Sequence, residues 1–183
     1  LMEADAVWSG YEREIRERAA ALYTACVVDD ALVSFANVDG SGRGDSVTLC
    51  YLDVQTIRAL SAYDVRWTAV ANRSEAILTD SRALMSSELP LYRASYTPAK
   101  DMFSNAAAQM TEAALTILHA AQISAAGEQT LDWLDAQLGA GAIYAQYASN
   151  GQVGYGFRYE AIGSYAVLAQ VGAVSGHTEL ARL

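Results

Sequence analysis

Thiols are scarce: Cys26 and Cys50 are the only two in a chain of 183 residues. Two cysteines build neither a disulfide framework nor a CxxC metal knuckle, so each reads as a small buried hydrophobe. Histidines are as few, His119 and His177, and a zinc site would need all four side chains to converge. No metal ligands and no cofactor are therefore expected. Basic residues are in deficit, 12 Lys+Arg against 21 Asp+Glu for a net charge of −9, which argues against nucleic acid or an anionic membrane as partner. No apolar run approaches the roughly 20 residues of a membrane span. The chain opens on Leu1 with no charged-then-apolar leader, so its start reads as a cut edge and the compartment stays open. What is present is 52% hydrophobic and 18% charged. That excludes a disordered chain and suits one domain over 1–183 with a sizeable core.

Two prolines and abundant alanine favour helix. Ser9 is placed to cap a helix over 11–25, with Ile15, Ala19, Leu22 and Cys26 along one stripe and a mixed charge run, Glu12 to Arg18, on the solvated face. A β-like piece over 27–35 leads into the loop Asp39-Gly-Ser-Gly-Arg-Gly-Asp45, which lacks the Lys-Ser/Thr of a phosphate cradle. Asp53 stands where an N-cap belongs, before a helix over 54–63, and Trp67 falls in a second helix over 65–79. Both prolines lie in 81–104, an irregular stretch long enough to suggest a functional loop. The longest helix is expected over 105–125, closed by Gly127; Thr130 caps 131–138, closed by Gly139. Ser149-Asn150-Gly151 signals a hairpin turn, and a last helix covers 158–174. The pattern is all-α with a short β-hairpin. Paired helices joined by loops of alternating length suggest hairpins packed side by side, as in an α/α toroid or a solenoid, and no fixed-period repeat selects the solenoid.

Acids recur near helix starts beside aromatics or hydroxyls: Tyr51-Leu52-Asp53, Thr111-Glu112 and Tyr159-Glu160. In a toroid, alternate helix starts gather at one rim, where tyrosines can stack on sugar rings while carboxylates handle glycosidic oxygen and water. The competing explanation for any one of them is an acid complementing the helix dipole. Glu112 is the most unusual, since its helix is otherwise mostly apolar; there a carboxylate is expected to be partly desolvated and hydrogen-bonded. His119 lies about two turns further along the same face and reads as a core histidine.

The stretch Leu49-Cys-Tyr-Leu-Asp-Val-Gln-Thr-Ile-Arg-Ala-Leu-Ser-Ala-Tyr-Asp-Val-Arg-Trp67 resembles the S-Y-x-D-x-x-A-L-R-x-L-A-x-Y-D-x-x-W stretch of glycoside hydrolase family 8-like proteins from bacterial exopolysaccharide operons. Glu88-Leu-Pro-Leu-Tyr92 with Ser95-Tyr96 is similar to their following loop. Met110-Thr-Glu-Ala-Ala-Leu-Thr-Ile-Leu-His119 resembles their N-M-T-E helix, with Gln109 in place of the Asn. Thr130-Leu-Asp-Trp-Leu134, Tyr144, Tyr147 and Tyr159-Glu160 fit their tail. The resemblance implies part of an (α/α)6 toroid that cleaves a β-linked polysaccharide with inversion. It implies Asp53 as the base that activates water, one residue out of register with the family's Y-D-A-x-R-like stretch, and Glu112 as the next carboxylate of the cleft. Glu160 and Tyr159 would join them, with Tyr51 and Tyr96 as sugar platforms. The family's general acid lies in a segment that this chain does not contain, so the chain corresponds to a C-terminal half. A missing N-terminal half or a homo-oligomer would then cover the apolar faces of a half-toroid. Export to the cell envelope or beyond follows from the resemblance alone. A non-catalytic helical module binding glycan or protein is the alternative reading, and a solenoid scaffold the third.

Overall fold

Glu12 and Glu14 each precede an arginine by four residues, and both pairs close on the surface of helix α1, Glu12–Cys26, at 2.7 and 2.6 Å. Such exposed pairs contribute about 0.3–0.5 kcal/mol each, so α1 is held mainly by its buried Ile15 and Ala19. A computed structural model of the chain describes Met2 and residues 10–183; Trp8 and the expected Ser9 cap lie outside the described residues. Strands β1, Val27–Val28, and β2, Ala31–Leu32, follow as a tight hairpin. Asp29 and Asp30 turn it with φ of 48° and 61°, the left-handed pair that matches strand twist and that Asp tolerates.

Strand β3, Val47–Thr48, runs into a 3-10 turn, Leu49–Tyr51, and then helix α2, Val54–Ala59, which a second turn, Leu60–Ala62, extends. Helix α3, Trp67–Thr79, buries the Trp67 ring completely. The stretch expected as a long irregular loop is instead built into the core. Strands β4, Ser95–Thr97, and β5, Met102–Phe103, add to β3 as a three-stranded antiparallel sheet. Ala83, Leu89, Leu91 and Tyr92 are buried. Irregular backbone can be buried only if its carbonyls find donors, and Arg93 supplies them: its guanidinium donates to the carbonyls of Arg82, Met85 and Ser104 at 3.0–3.1 Å and to Asn105 Oδ1 at 2.7 Å.

Strand β6, Ala108–Gln109, pairs with β7, Gln146–Tyr147, so the following helix, α4, is Met110–Gln122 rather than the longer helix its alanines suggested. It is the central element, buried at Met110, Ala113, Ala114, Ile117, Leu118, Ala120 and Ala121. Helix α5, Glu128–Gly139, is capped by Gly127. Thr130 is therefore not the cap: it lies inside α5, buried, and its hydroxyl donates to the Pro90 carbonyl at 2.8 Å. Ser149-Asn150-Gly151 does turn a hairpin, with Ala148 N–H on the Gln152 carbonyl at 2.8 Å and Gly151 at φ 77°. Helix α6, Ile162–Ser175, packs on α4 and ends at Gly176, φ 73°. The closing turn, Leu180–Arg182, folds back onto α6 at Gly172, where a methyl would meet Leu180 C at 2.6 Å. The chain is mostly α with a small β-hairpin, as expected. Among the described residues no helix is long and apolar enough to cross a membrane.

Candidate functional site

The path into Asp53 is fixed by burial on either side of it. Leu49 N–H donates to the Ala94 carbonyl at 3.0 Å, and Leu49, Cys50, Leu52 and Val54 are all buried. With its neighbours turned inward, Tyr51 is forced out and is 62% exposed. Asp53, half-buried, caps α2: Oδ1 accepts from Thr56 N–H at 2.9 Å and Oδ2 from the Thr56 hydroxyl at 2.6 Å. Each carboxylate oxygen offers two lone pairs, so both retain room for a water or a sugar hydroxyl.

Glu112 occupies the first turn of α4. The expectation of a desolvated, hydrogen-bonded carboxylate does not hold: Glu112 is exposed, and its carboxylate bonds to no described residue. The reason lies in the helix's one wet stripe. Glu112, Leu115, His119 and Gln122 recur along one face and are the residues of α4 left exposed or half-buried, together with Thr111. His119 Nδ1 stands 3.3 Å from Gln122 Oε1 on this stripe. Glu112 faces the turn before α2 closely enough to act on Cys50, whose thiol is pushed up by burial first and by the Glu112 charge second. Gln55, two residues past Asp53, reaches the other end of α4 and donates to the Gln122 carbonyl at 2.7 Å. Asp53 thus stands along α4 between these two anchor points, and Glu112 lies toward the start.

Tyr159 and Glu160 are brought beside the start of α4 through backbone. Met110 N–H donates to the Ala145 carbonyl at 2.9 Å, Ala145 N–H to the Tyr159 carbonyl at 3.0 Å, and Tyr144 bridges Glu160. Thr111 and Ser164 hydroxyls meet at 3.5 Å across the starts of α4 and α6. Tyr159 and Glu160 are both exposed. Tyr96, by contrast, is not a platform. Only 4% exposed, its ring packs on Phe103 at 4.8 Å between centroids and lies under Arg73. Its hydroxyl donates to Asp101 at 2.9 Å and accepts from Arg73 at 3.1 Å; burial, then the Asp101 bond, pushes it up. It is a member of the small sheet's core, with no face left for a sugar ring.

Two solved structures share this fold. One, described as a novel alpha-amylase from Clostridium perfringens, superposes with a TM-score of 0.82 at 23% identity, covering 97% of this chain and 52% of its own. The other, the apo structure of a beta-1,3-1,4-glucanase from Paenibacillus sp. X4, gives 0.73 at 14%, covering 97% and 54%. The chain spans about half the length of these neighbours. Neither a family model nor a curated protein sequence matches it. At these identities the likeness is one of fold.

Glu112 lies in the first turn of α4, the turn of Tyr51 packs against α4 and leads to Asp53, and the segment of Tyr159 and Glu160 reaches the start of α4 through the backbone of Ala145. Sequence reading passed over two exposed neighbours, Tyr155 and Arg158, which line a cleft of about 520 Å³ with Tyr159. Their signal was the tyrosine held between Gly154 and Gly156. Among the described residues no group of three or more His, Cys, Asp or Glu could hold a metal ion.

Proposed function

We propose that the chain forms part of an (α/α)6 toroid of a glycoside hydrolase acting with inversion on a β-linked polysaccharide. The observation that carries this is the fold, common to an amylase and a glucanase, combined with free carboxylates beside exposed tyrosines at the start of α4. Those two neighbours differ in the anomeric form they are named for, so β-linkage rests on the motif resemblance. In the proposed reaction water attacks the anomeric carbon from the face opposite the leaving group. Asp53, held by Thr56, takes the proton of that water, and the glycosidic C–O bond breaks as a general acid protonates its oxygen. Glu112 and Glu160 orient sugar hydroxyls, and Tyr51 and Tyr159 carry sugar rings. No residue of this chain is assigned as the acid, which must stand about 6.5–9.5 Å from the base to leave room for the water.

One observation favours the alternative, a glycan-binding module: the Asp53 carboxylate is already accounted for as a helix cap. Asp53→Asn and Glu112→Gln in the product of the full gene separate the two. A hydrolase loses turnover in at least one variant while glycan binding persists. Hydrolysis at the wild-type rate in both refutes the assignment of the base. Binding without hydrolysis of any glucan or exopolysaccharide by the unaltered protein makes it a binding module.

A further inference from the structure

The loop 154–160 carries features that hydrolysis alone does not require. Gly154 N–H donates to the Gln146 carbonyl of β7 at 3.1 Å, and Gly156 sits at φ 82°. Between these two glycines Tyr155 stands fully in solvent, at 104% relative exposure, and Tyr159 is 59% exposed. Phe157 backs Tyr159 from within, its ring 6.2 Å away. The loop's anchor, Gln146, pairs with Gln109, the residue before α4, so the loop that lines the cleft of Tyr155, Arg158 and Tyr159 is tied to the small sheet that leads into α4.

Arg158 is the unusual member. Most of the chain's arginines are engaged by carboxylates, carbonyls or a tyrosine hydroxyl. The side chains of Arg13, Lys100 and Arg158 bond to no described residue, and of these three Arg158 lines the cleft with the exposed tyrosines. A guanidinium is a planar fork that matches a carboxylate with two parallel hydrogen bonds, and a tyrosine face accepts the apolar face of a sugar ring. With 21 acids against 12 bases, the chain as a whole repels polyanions. Selectivity for one must therefore come from a local group.

We propose that this cleft is a subsite for a sugar unit bearing a carboxylate, its ring on Tyr155 or Tyr159 and its carboxylate on Arg158. The substrate class is then an acidic polysaccharide containing uronic acid. The inference rests on the glycan reading above. The test titrates the protein, by calorimetry, with oligoglucuronate and with neutral cello-oligosaccharide of equal length, for wild type, Arg158→Gln, Arg158→Lys and Tyr155→Ala. All three substitutions sit in exposed positions, and circular dichroism checks their folding. The expected result is a preference of about tenfold or more for the acidic oligosaccharide. Arg158→Gln abolishes that preference with neutral binding unchanged, Arg158→Lys restores part of it, and Tyr155→Ala weakens both ligands. Equal binding of the two ligands, or a preference that survives Arg158→Gln, overturns the acidic subsite while the glycan reading stands. Binding of neither ligand overturns the acidic subsite, and the hydrolysis assays on other glycans then decide the glycan reading.

Discussion

Removing the Asp53 side chain tests how α2 is held. α2 has only six residues, Val54–Ala59, too short to persist by its own propensity. Two anchors retain it, the burial of Val54 and Ile57 and the cap at its start. Asp53→Ala removes the acceptor of Thr56 N–H, a loss worth about 0.5–2 kcal/mol, and leaves the Thr56 hydroxyl to water. In a chain of this size about 1 kcal/mol corresponds to roughly 2–4 °C in Tm, so a fall of about 1–8 °C is expected. Asp53→Asn behaves differently. Its amide oxygen still accepts from Thr56 N–H, and the Thr56 hydroxyl can rotate to accept from the amide nitrogen. What is lost is the charge at the helix start, about 0.3–1 kcal/mol. Thermal unfolding followed by circular dichroism should place the Asn variant between wild type and Ala, closer to wild type. An Asn variant as destabilised as Ala would mean that the charge, not the hydrogen bonds, secures α2. An Ala variant as stable as wild type would refute the cap altogether. The comparison also sharpens the catalytic question, because a stable Asn variant that loses turnover has lost chemistry rather than structure.

Other perturbations probe the packing that carries the site. Thr130→Val keeps the shape but removes the hydroxyl that donates to the buried Pro90 carbonyl; an unfolding loss of about 1–3 kcal/mol is expected, read as a shift in urea midpoint, and an unchanged midpoint would show that water replaces the hydroxyl. Gly172→Ala places a methyl 2.6 Å from Leu180 C and 2.8 Å from the His177 carbonyl. Because those are backbone atoms, the C-terminal turn must move off α6, at a cost of about 1–3 kcal/mol, and limited proteolysis should cut near residue 180 sooner than in wild type. Tyr92 is pushed up to about 12 by burial. Its folded form therefore stays neutral where the unfolded form ionises, near 10. The resulting stabilisation, about 3 kcal/mol, is complete below pH 10 and disappears as pH rises toward 12. Tyr92→Phe should flatten that alkaline decline in unfolding free energy, and an unaltered decline would assign it elsewhere.

Local chemistry was legible in the sequence wherever it acts at short range. The Asp53 cap, the body of α3 and the Asn150-Gly151 turn each depend on residues within a few positions of one another. The sheet β3–β4–β5 was not, because two- and three-residue strands carry no periodicity and β3 finds its partner only at Ser95 and Tyr96, far along the chain. Arg93 was equally silent. An arginine that solvates buried carbonyls looks, in one dimension, like any surface cation. The start of α4 was misplaced because Ala106 to Ala108 have high helix propensity, yet pairing of Ala108 with Tyr147 overrides it.

For the candidate site the limit is different in kind. Asp53, Glu112 and Glu160 share one signature, an acid at or near a helix start beside an aromatic or hydroxyl. Helix dipoles alone would put acids there. Only hydrogen-bond accounting separates them. Asp53 spends an acceptor on each oxygen to hold α2, whereas the carboxylates of Glu112 and Glu160 belong to exposed residues and bond to no described residue. A capping carboxylate is rigid but partly committed; a free one is available but must be ordered by whatever binds. In a hydrolase the fixed carboxylate suits the base, which must hold water against one face of the sugar, and the free pair suits hydroxyl recognition, where the ligand itself supplies the order. In a binding module the free pair and the exposed tyrosines are sufficient, and Asp53 has no work beyond the cap. The same three acids thus divide according to function. Whether Asp53→Asn affects turnover or nothing but Tm tells which division the protein uses.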